Sequence, residues 1–227
     1  MLYTIGNIFA LINNKLVKKY VDPYNPLGLP ANTIRVRTSD GQQPIKDTYT
    51  TYETATLVPG TNDVYDVYKS GTDFTRVLYS STNVVEVLGA NTSNVTDMTG
   101  MFNRCRNLTT VPLFDTSSVT NMTGMFLACR NLTTVPLFDT SNVTDMTSMF
   151  EGCSNLTTVP LFDTSSVISM NRMFRNCYSV ESGALALYQQ ASTQANPPAN
   201  HDSTFMQCGS NTQTGAAELA QIPSDWK

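Results

Sequence analysis

Between residues 115 and 138 the apolar side chains fall into two runs of different spacing. Val119, Met122, Met125, Phe126 and Cys129 lie at i, i+3, i+6, i+7 and i+10, which places them on one face of a short helix. Leu132, Val135 and Leu137 follow at spacings of three and two, and Val135 and Leu137 alternate as strand residues do, both expected to point inward. The polar stretch "DTS" before the helix carries short oxygen side chains that can bond backbone N–H groups and cap it. The pattern predicts a unit of one short helix and one strand.

That unit recurs every 24 residues. "NTSNVTDMTGMFNRCRNLTTVPLF" occupies 91–114, "DTSSVTNMTGMFLACRNLTTVPLF" 115–138 and "DTSNVTDMTSMFEGCSNLTTVPLF" 139–162, while "DTSSVISMNRMFRNCYSV" opens another copy at 163. A lone copy buries too few side chains to offset its own ordering. Stacked copies share faces, and identical strings then set like on like in columns of Leu, Val, Met, Phe and Cys. Upstream, "GTDFTRVLYSSTNVVEVLG" keeps the frame, with Phe74, Val77 and Leu78 in the Met-Met-Phe places and Ser81 in the cysteine place. Downstream, "TFMQC" at 204–208 restores the Phe-x-x-Cys signature. "ELAQIP" at 218–223 is expected to restore the strand, with Leu219 and Ile222 in the Leu and Val places. Between them "ALALYQQASTQANPPANHDS" predicts a helix ended by Pro197 and Pro198. The expected fold is α/β, a leucine-rich-repeat-like right-handed solenoid of about six strand-plus-short-helix coils with atypical end copies.

The N-terminal third follows a different pattern. Leu2, Ile5, Phe9, Ile12 and Leu16 form a 3-4-3-4 stripe over barely two heptads, the mark of a short helix that either docks on a partner or packs on its own neighbour. "DPYNPLGLPANT" follows as a proline-rich linker. "TIRVRTSDGQQPI" reads as a strand, and "TATLVPGTNDVYDVYKS" as a hairpin around Pro59 and Gly60. The expected organisation is residues 1–33 as docking or oligomerisation helix plus linker, 34–66 as a β cap, and 67–227 as the repeats with a distorted C-terminal cap.

Composition narrows the function classes. A net charge of −4 argues against nucleic acid as a partner, since that needs a basic face. No stretch is long and apolar enough to span a membrane as a helix. The positive charges of "MLYTIGNIFALINNKLVKKY" follow its apolar run, whereas a secretory signal has them before it, and the segment lacks the cysteine of a lipid anchor, so it is expected to be retained. Of the five cysteines, Cys105, Cys129, Cys153 and Cys177 keep the 24-residue spacing, which favours free buried thiols over a disulfide framework.

At "DTSNVTDMTSMFEGCSNLTTVPLF" the chain resembles the BspA-like leucine-rich repeats, including the variety first noted in mycoplasma surface lipoproteins. The shared core is Val-Thr-x-Met-x-x-Met-Phe-x-x-Cys-x-x-Leu, and it covers roughly 67–223. The tail "TGAAELAQIPSDWK" is similar to the ends of short members. The resemblance implies a bacterial surface adhesin or an appendage protein of phages that infect gut bacteria, with binding as its role and no catalytic residues. Adhesins are exported and a virion protein is assembled in the host cytoplasm, so the absence of a visible signal leans towards a virion component.

Catalytic and metal chemistry find little support. The one histidine, His201, lies in a polar stretch and cannot build a triad alone. No phosphate loop appears, the cysteines lack zinc spacing, and no paired-carboxylate cleft is evident. No cofactor is implied. The column Asp115, Asp139 and Asp163 either caps its own turns or, with many more oxygens, would bridge calcium; the turn role is favoured. Two surfaces remain for binding. Phe114, Phe138 and Phe162 form either core or, if exposed, an apolar patch. The residues around each cysteine vary between copies, notably Arg104, Arg106, Arg130, Arg175 and Tyr178, as either a specificity surface or an unconstrained solvent face. The expected protein is a non-enzymatic virion appendage. It docks on other virion proteins or itself through the N-terminus and holds a host surface protein or glycan; the alternative is a bacterial cell-surface adhesin.

Overall fold

The computed structural model describes residues 8–12, 15–19 and 25–227. Strand β1 (Ile8–Ile12) pairs antiparallel with β2 (Lys15–Lys19). That replaces the helix expected there: Phe9, Ile12 and Leu16 sit on two strands, while Leu2 and Ile5 lie outside the described residues. The second sheet is wholly antiparallel and has the order β4-β5-β3-β6, built from β3 (Thr33–Thr38), β4 (Thr54–Leu57), β5 (Val64–Tyr68) and β6 (Val84–Asn91). Pro59 and Gly60 fall in the β4–β5 loop, where Gly60 takes a positive φ of 81°. Alternation in β3 buries Ile34 and Val36, and Arg35, on the other face, pairs with Asp66 across the ladder at 2.7 Å.

The expected solenoid of strand-plus-helix coils does not form. The regular structure is chiefly this small four-stranded antiparallel sheet and two short helices, α1 (Ala184–Thr193) and α2 (Gln213–Gln221). Between β6 and α1 the described residues contain neither helix nor strand. The expected terminal strand at 218–223 is instead the end of α2, which buries Ile222 just beyond its last turn.

The backbone explains why. Met101, Asn103 and Cys105 donate their N–H groups back to Met98, Gly100 and Phe102 within one copy, as in successive β-turns. The intervening N–H groups, of Met98, Gly100, Phe102 and Arg104, donate to the carbonyls of Asn121, Thr123, Met125 and Leu127 in the next copy, at 2.7–2.9 Å. The same alternation repeats from copy to copy. A helix would need every donor for itself. Two residues per copy, four apart, must therefore turn into the left-handed region: Gly100 and Arg104, Gly124 and Ala128, Ser148 and Gly152, Arg172 and Asn176, all with φ between 55° and 74°. The apolar spacing that resembles a helix is produced by these turns instead.

The strand half fails for a second reason. Pro136 and Pro160 have no N–H for a ladder, and their carbonyls accept from Phe138 and Phe162 two residues on. The tight bend turns Phe138 in and Leu137 out. Leu137 is 60% exposed and Leu161 52%, against the expectation that Leu137 points inward.

Neighbouring copies nevertheless lie against each other. Single parallel bridges join Asp73 to Asp97, Asp97 to Asn121, Asn121 to Asp145 and Asp145 to Ser169. Phe102, Phe126, Phe150 and Phe174 stack with ring centroids 5.2–5.4 Å apart and planes within 10° of parallel. Phe205 continues the column and Trp226 closes it. Each rung's cysteine is buried and points its thiol at a carbonyl of the rung before: Cys129 at Phe102 O, 3.0 Å, and Cys153 at Phe126 O, 3.1 Å. Thr92, Thr116 and Thr140 are buried too, and each donates its hydroxyl to the first carbonyl of the next copy. Every polar atom in these columns is thereby satisfied.

Candidate functional site: an arginine and tyrosine edge

The left-handed turn residues and the corner after each cysteine project from one edge of the stack. Arg76 and Arg104 occupy such turns on successive copies, and Arg106 and Arg130 follow their cysteines on successive copies. All four are exposed. The Arg76 guanidinium lies 5.7 Å from the ring of Tyr49 and 5.8 Å from that of Tyr79, and the Arg104 guanidinium also lies 5.8 Å from Tyr79. Tyr49 and Tyr79 themselves meet edge to face at 5.7 Å. Cation–π contact fixes these guanidinium planes while leaving their N–H donors free, which an ion pair would not do.

Charge is segregated across each copy. From Gly100 to Arg106, and over the matching stretches of its neighbours, Glu151 is the only acid, whereas Arg76, Arg104, Arg106, Arg130, Arg172 and Arg175 are there. The acids lie elsewhere, in two columns. Asp73, Asp97 and Asp145 accept from the N–H two residues on, as do Asp115, Asp139 and Asp163 in theirs. Ser165 holds Asp163 below the usual carboxylate range through its side chain and its N–H. These carboxylates cap their own turns, and the described residues contain no cluster of metal-ligating side chains.

The structure divides the residues singled out from the sequence. Arg104, Arg106 and Arg130 stand exposed on the edge. Arg175 is half-buried and paired with Glu151 at 3.4 Å, so its charge is partly spent; Tyr178 is half-buried one rung from the end. Phe114, Phe138 and Phe162 are at most 2% exposed and cannot form a binding patch. They pack against the main phenylalanine column, with Phe126 and Phe138 6.2 Å apart, because the proline bend folds them under the corner. Tyr49, Arg76 and Tyr79 were not legible as site residues. Arg76 and Tyr79 fall in the degenerate copy "GTDFTRVLY", where carrying the frame one copy upstream would have placed them beside Arg104.

A second concavity, a shallow groove of about 450 Å³, runs between α1 and the corners of two copies. It is lined by Leu137, Leu161, Asp139, Asp163, Gln190 and Gln194. Gln190 and Gln194 are occupied with the carbonyls of Phe162 and Thr164, so its polar wall is largely self-satisfied.

Near-identical turns stacked copy on copy define a repeat protein. The chain belongs to the family described as Mycoplasma protein of unknown function, DUF285, which matches residues 72–186, just over half of its length. That family is related in general to the BspA-like surface repeat proteins. No curated protein matches the chain. No solved structure matches it either.

Proposed function

We propose that this chain is a non-catalytic binding protein that works at a surface and holds its ligand along the arginine and tyrosine edge. One observation carries the reading: Arg76, Arg104, Arg106 and Arg130 stand exposed on consecutive rungs, and none is in an ion pair among the described residues. A protein with 18 acidic residues could have neutralised them. The finer form of the reading is a virion appendage that docks through residues 1–33 on other virion proteins or on itself and meets a host bacterium through the repeats; the resemblance to phage appendage proteins supports it. The family match to mycoplasma proteins favours a second reading, a bacterial cell-surface adhesin that binds protein or glycan.

The test is adhesion. Labelled protein is titrated onto intact bacteria and onto mucosal cells, as wild type and as Arg104→Glu/Arg106→Glu/Arg130→Glu. Saturable adhesion that the triple variant loses supports the proposal. Adhesion to bacteria selects the virion form and adhesion to mucosal cells the adhesin form. Equal adhesion of the two proteins overturns the proposal.

A further inference from the structure

We infer that the ligand of the edge is an acidic polysaccharide, laid along the stacking axis over the copies that carry Arg76, Arg104, Arg106 and Arg130. The inference rests on the binding role proposed above and names its ligand class. The first ground is charge: four exposed guanidiniums on three consecutive copies, none in an ion pair among the described residues, select a polyanion, and their planar donors suit carboxylate or sulfate. The second is pitch. Arg106 and Arg130 hold the same place on successive copies, whose stacked Phe102 and Phe126 rings lie 5.4 Å apart, close to the advance of one pyranose in an extended glycan. The third is shape. Arg76, Arg104, Arg106 and Arg130 are exposed on consecutive copies and lie apart from the groove beside α1, which fits a polymer laid over several copies.

The same edge fits other polyanions less well. A protein interface of useful affinity is anchored by large apolar side chains at its centre. Leu137, Leu161 and Ile168, the exposed aliphatic residues of the repeats, lie on other parts of each copy, and on the edge only Tyr49 is both aromatic and exposed. Single-stranded nucleic acid is held by stacking successive bases on successive rings, and beside Arg106 and Arg130 the copies carry asparagine, not a ring. Tyr49, exposed beside the Arg76 guanidinium, offers what a glycan uses, a flat ring for the C–H face of a sugar next to donors for its acid groups.

The experiment measures binding of the full chain to polygalacturonate, neutral dextran, polyglutamate and single-stranded DNA by affinity electrophoresis at low and raised salt. The inference expects retention by polygalacturonate, weakened as salt rises, and none by dextran. Arg104→Glu/Arg106→Glu should weaken it about tenfold or more. Thr214→Glu/Gln221→Glu, which places negative charge on α2 instead, should change it less than about twofold. Tyr49→Ala should weaken polygalacturonate more than it weakens polyglutamate, because only the sugar uses the exposed ring. Three outcomes overturn the inference: no retention of the wild type, equal retention by polyglutamate or DNA, or no effect of the edge variants. If the edge variants lose adhesion to cells while the wild type ignores polygalacturonate, the ligand class falls and the binding role stands. If adhesion to cells does not depend on the edge, both fall.

Discussion

Replacing Ala128 by glycine distinguishes stacked turns from a helix by the sign of the result. Ala128 lies within the segment whose apolar spacing fits a helix, and in a helix interior glycine costs about 1 kcal/mol relative to alanine. In the structure Ala128 has φ 58° and donates its N–H to Glu151 of the next copy, 2.8 Å away. A left-handed L-residue is strained by about 1–2 kcal/mol. Glycine removes that strain, and the extra freedom it gives the unfolded chain returns about 0.4–1 kcal/mol. The lost methyl is half-exposed and contributes only a few tenths more. The net expectation is a gain of about 0.5–1 kcal/mol, or about 2–4 °C in Tm per kcal/mol for a chain of this size. Urea unfolding should show a raised midpoint at unchanged slope. A midpoint lowered by the equivalent of about 1 kcal/mol would refute the turn geometry and restore the helix. Arg104→Gly should behave the same way in stability, which separates its backbone strain from its place on the edge.

Phe150 stacks on Phe126 and Phe174 and touches the ring of Phe162, so Phe150→Ala opens the centre of the column and should cost about 3–5 kcal/mol in chemical denaturation; a loss below 1 would mean the column is not packed. Burial pushes the thiols of Cys105, Cys153 and Cys208 up to about 12 and raises Cys129 and Cys177 in the same direction. A disulfide-exchange reagent at mildly alkaline pH should thus leave all five unmodified until denaturant is added, and rapid labelling of the native protein would contradict the burial. Since the folded thiols titrate above their unfolded value, they favour the fold in full below about pH 8.5, and that contribution declines as pH rises towards 12. Stability measured between pH 8 and pH 11 should fall, and a flat profile would sink the argument. At Gly183, which starts α1 with φ 96°, a Cβ would sit 2.2 Å from Val159 O, so Gly183→Ala should shift α1 off the last copies and lower the melting temperature by several degrees.

The repeat was legible because its side chains report periodicity directly: buried Met122, Phe126, Cys129 and Leu132 recur every 24 residues as a packing demand. The local conformation was not, because a helix and a run of turns with every fourth residue left-handed bury the same offsets. The available cue was glycine, present at 100, 124 and 152, inside what reads as a helical stripe. It was weak because Arg104, Ser148 and Arg172 hold the same backbone position without being glycine. The N-terminal stripe misled for a related reason. Phe9, Ile12 and Leu16 keep a heptad spacing, while Ile8–Ile12 and Lys15–Lys19 pair as antiparallel strands.

The edge follows from the same economy. A frame that fixes its backbone by sending alternate N–H groups to the next copy leaves the turn tips with no structural task beyond tolerating φ near 60°. Arginine there has a strain cost and makes no ion pair among the described residues at Arg76 or Arg104, so the backbone gives no reason to prefer it to glycine. The neighbouring copies carry glycine or a small residue at many of these positions, which shows that the frame does not ask for a cation. Backbone strain therefore argues against Arg76 and Arg104, and the two tyrosines steady their guanidiniums while leaving the donors open, an arrangement that suits the binding role proposed above.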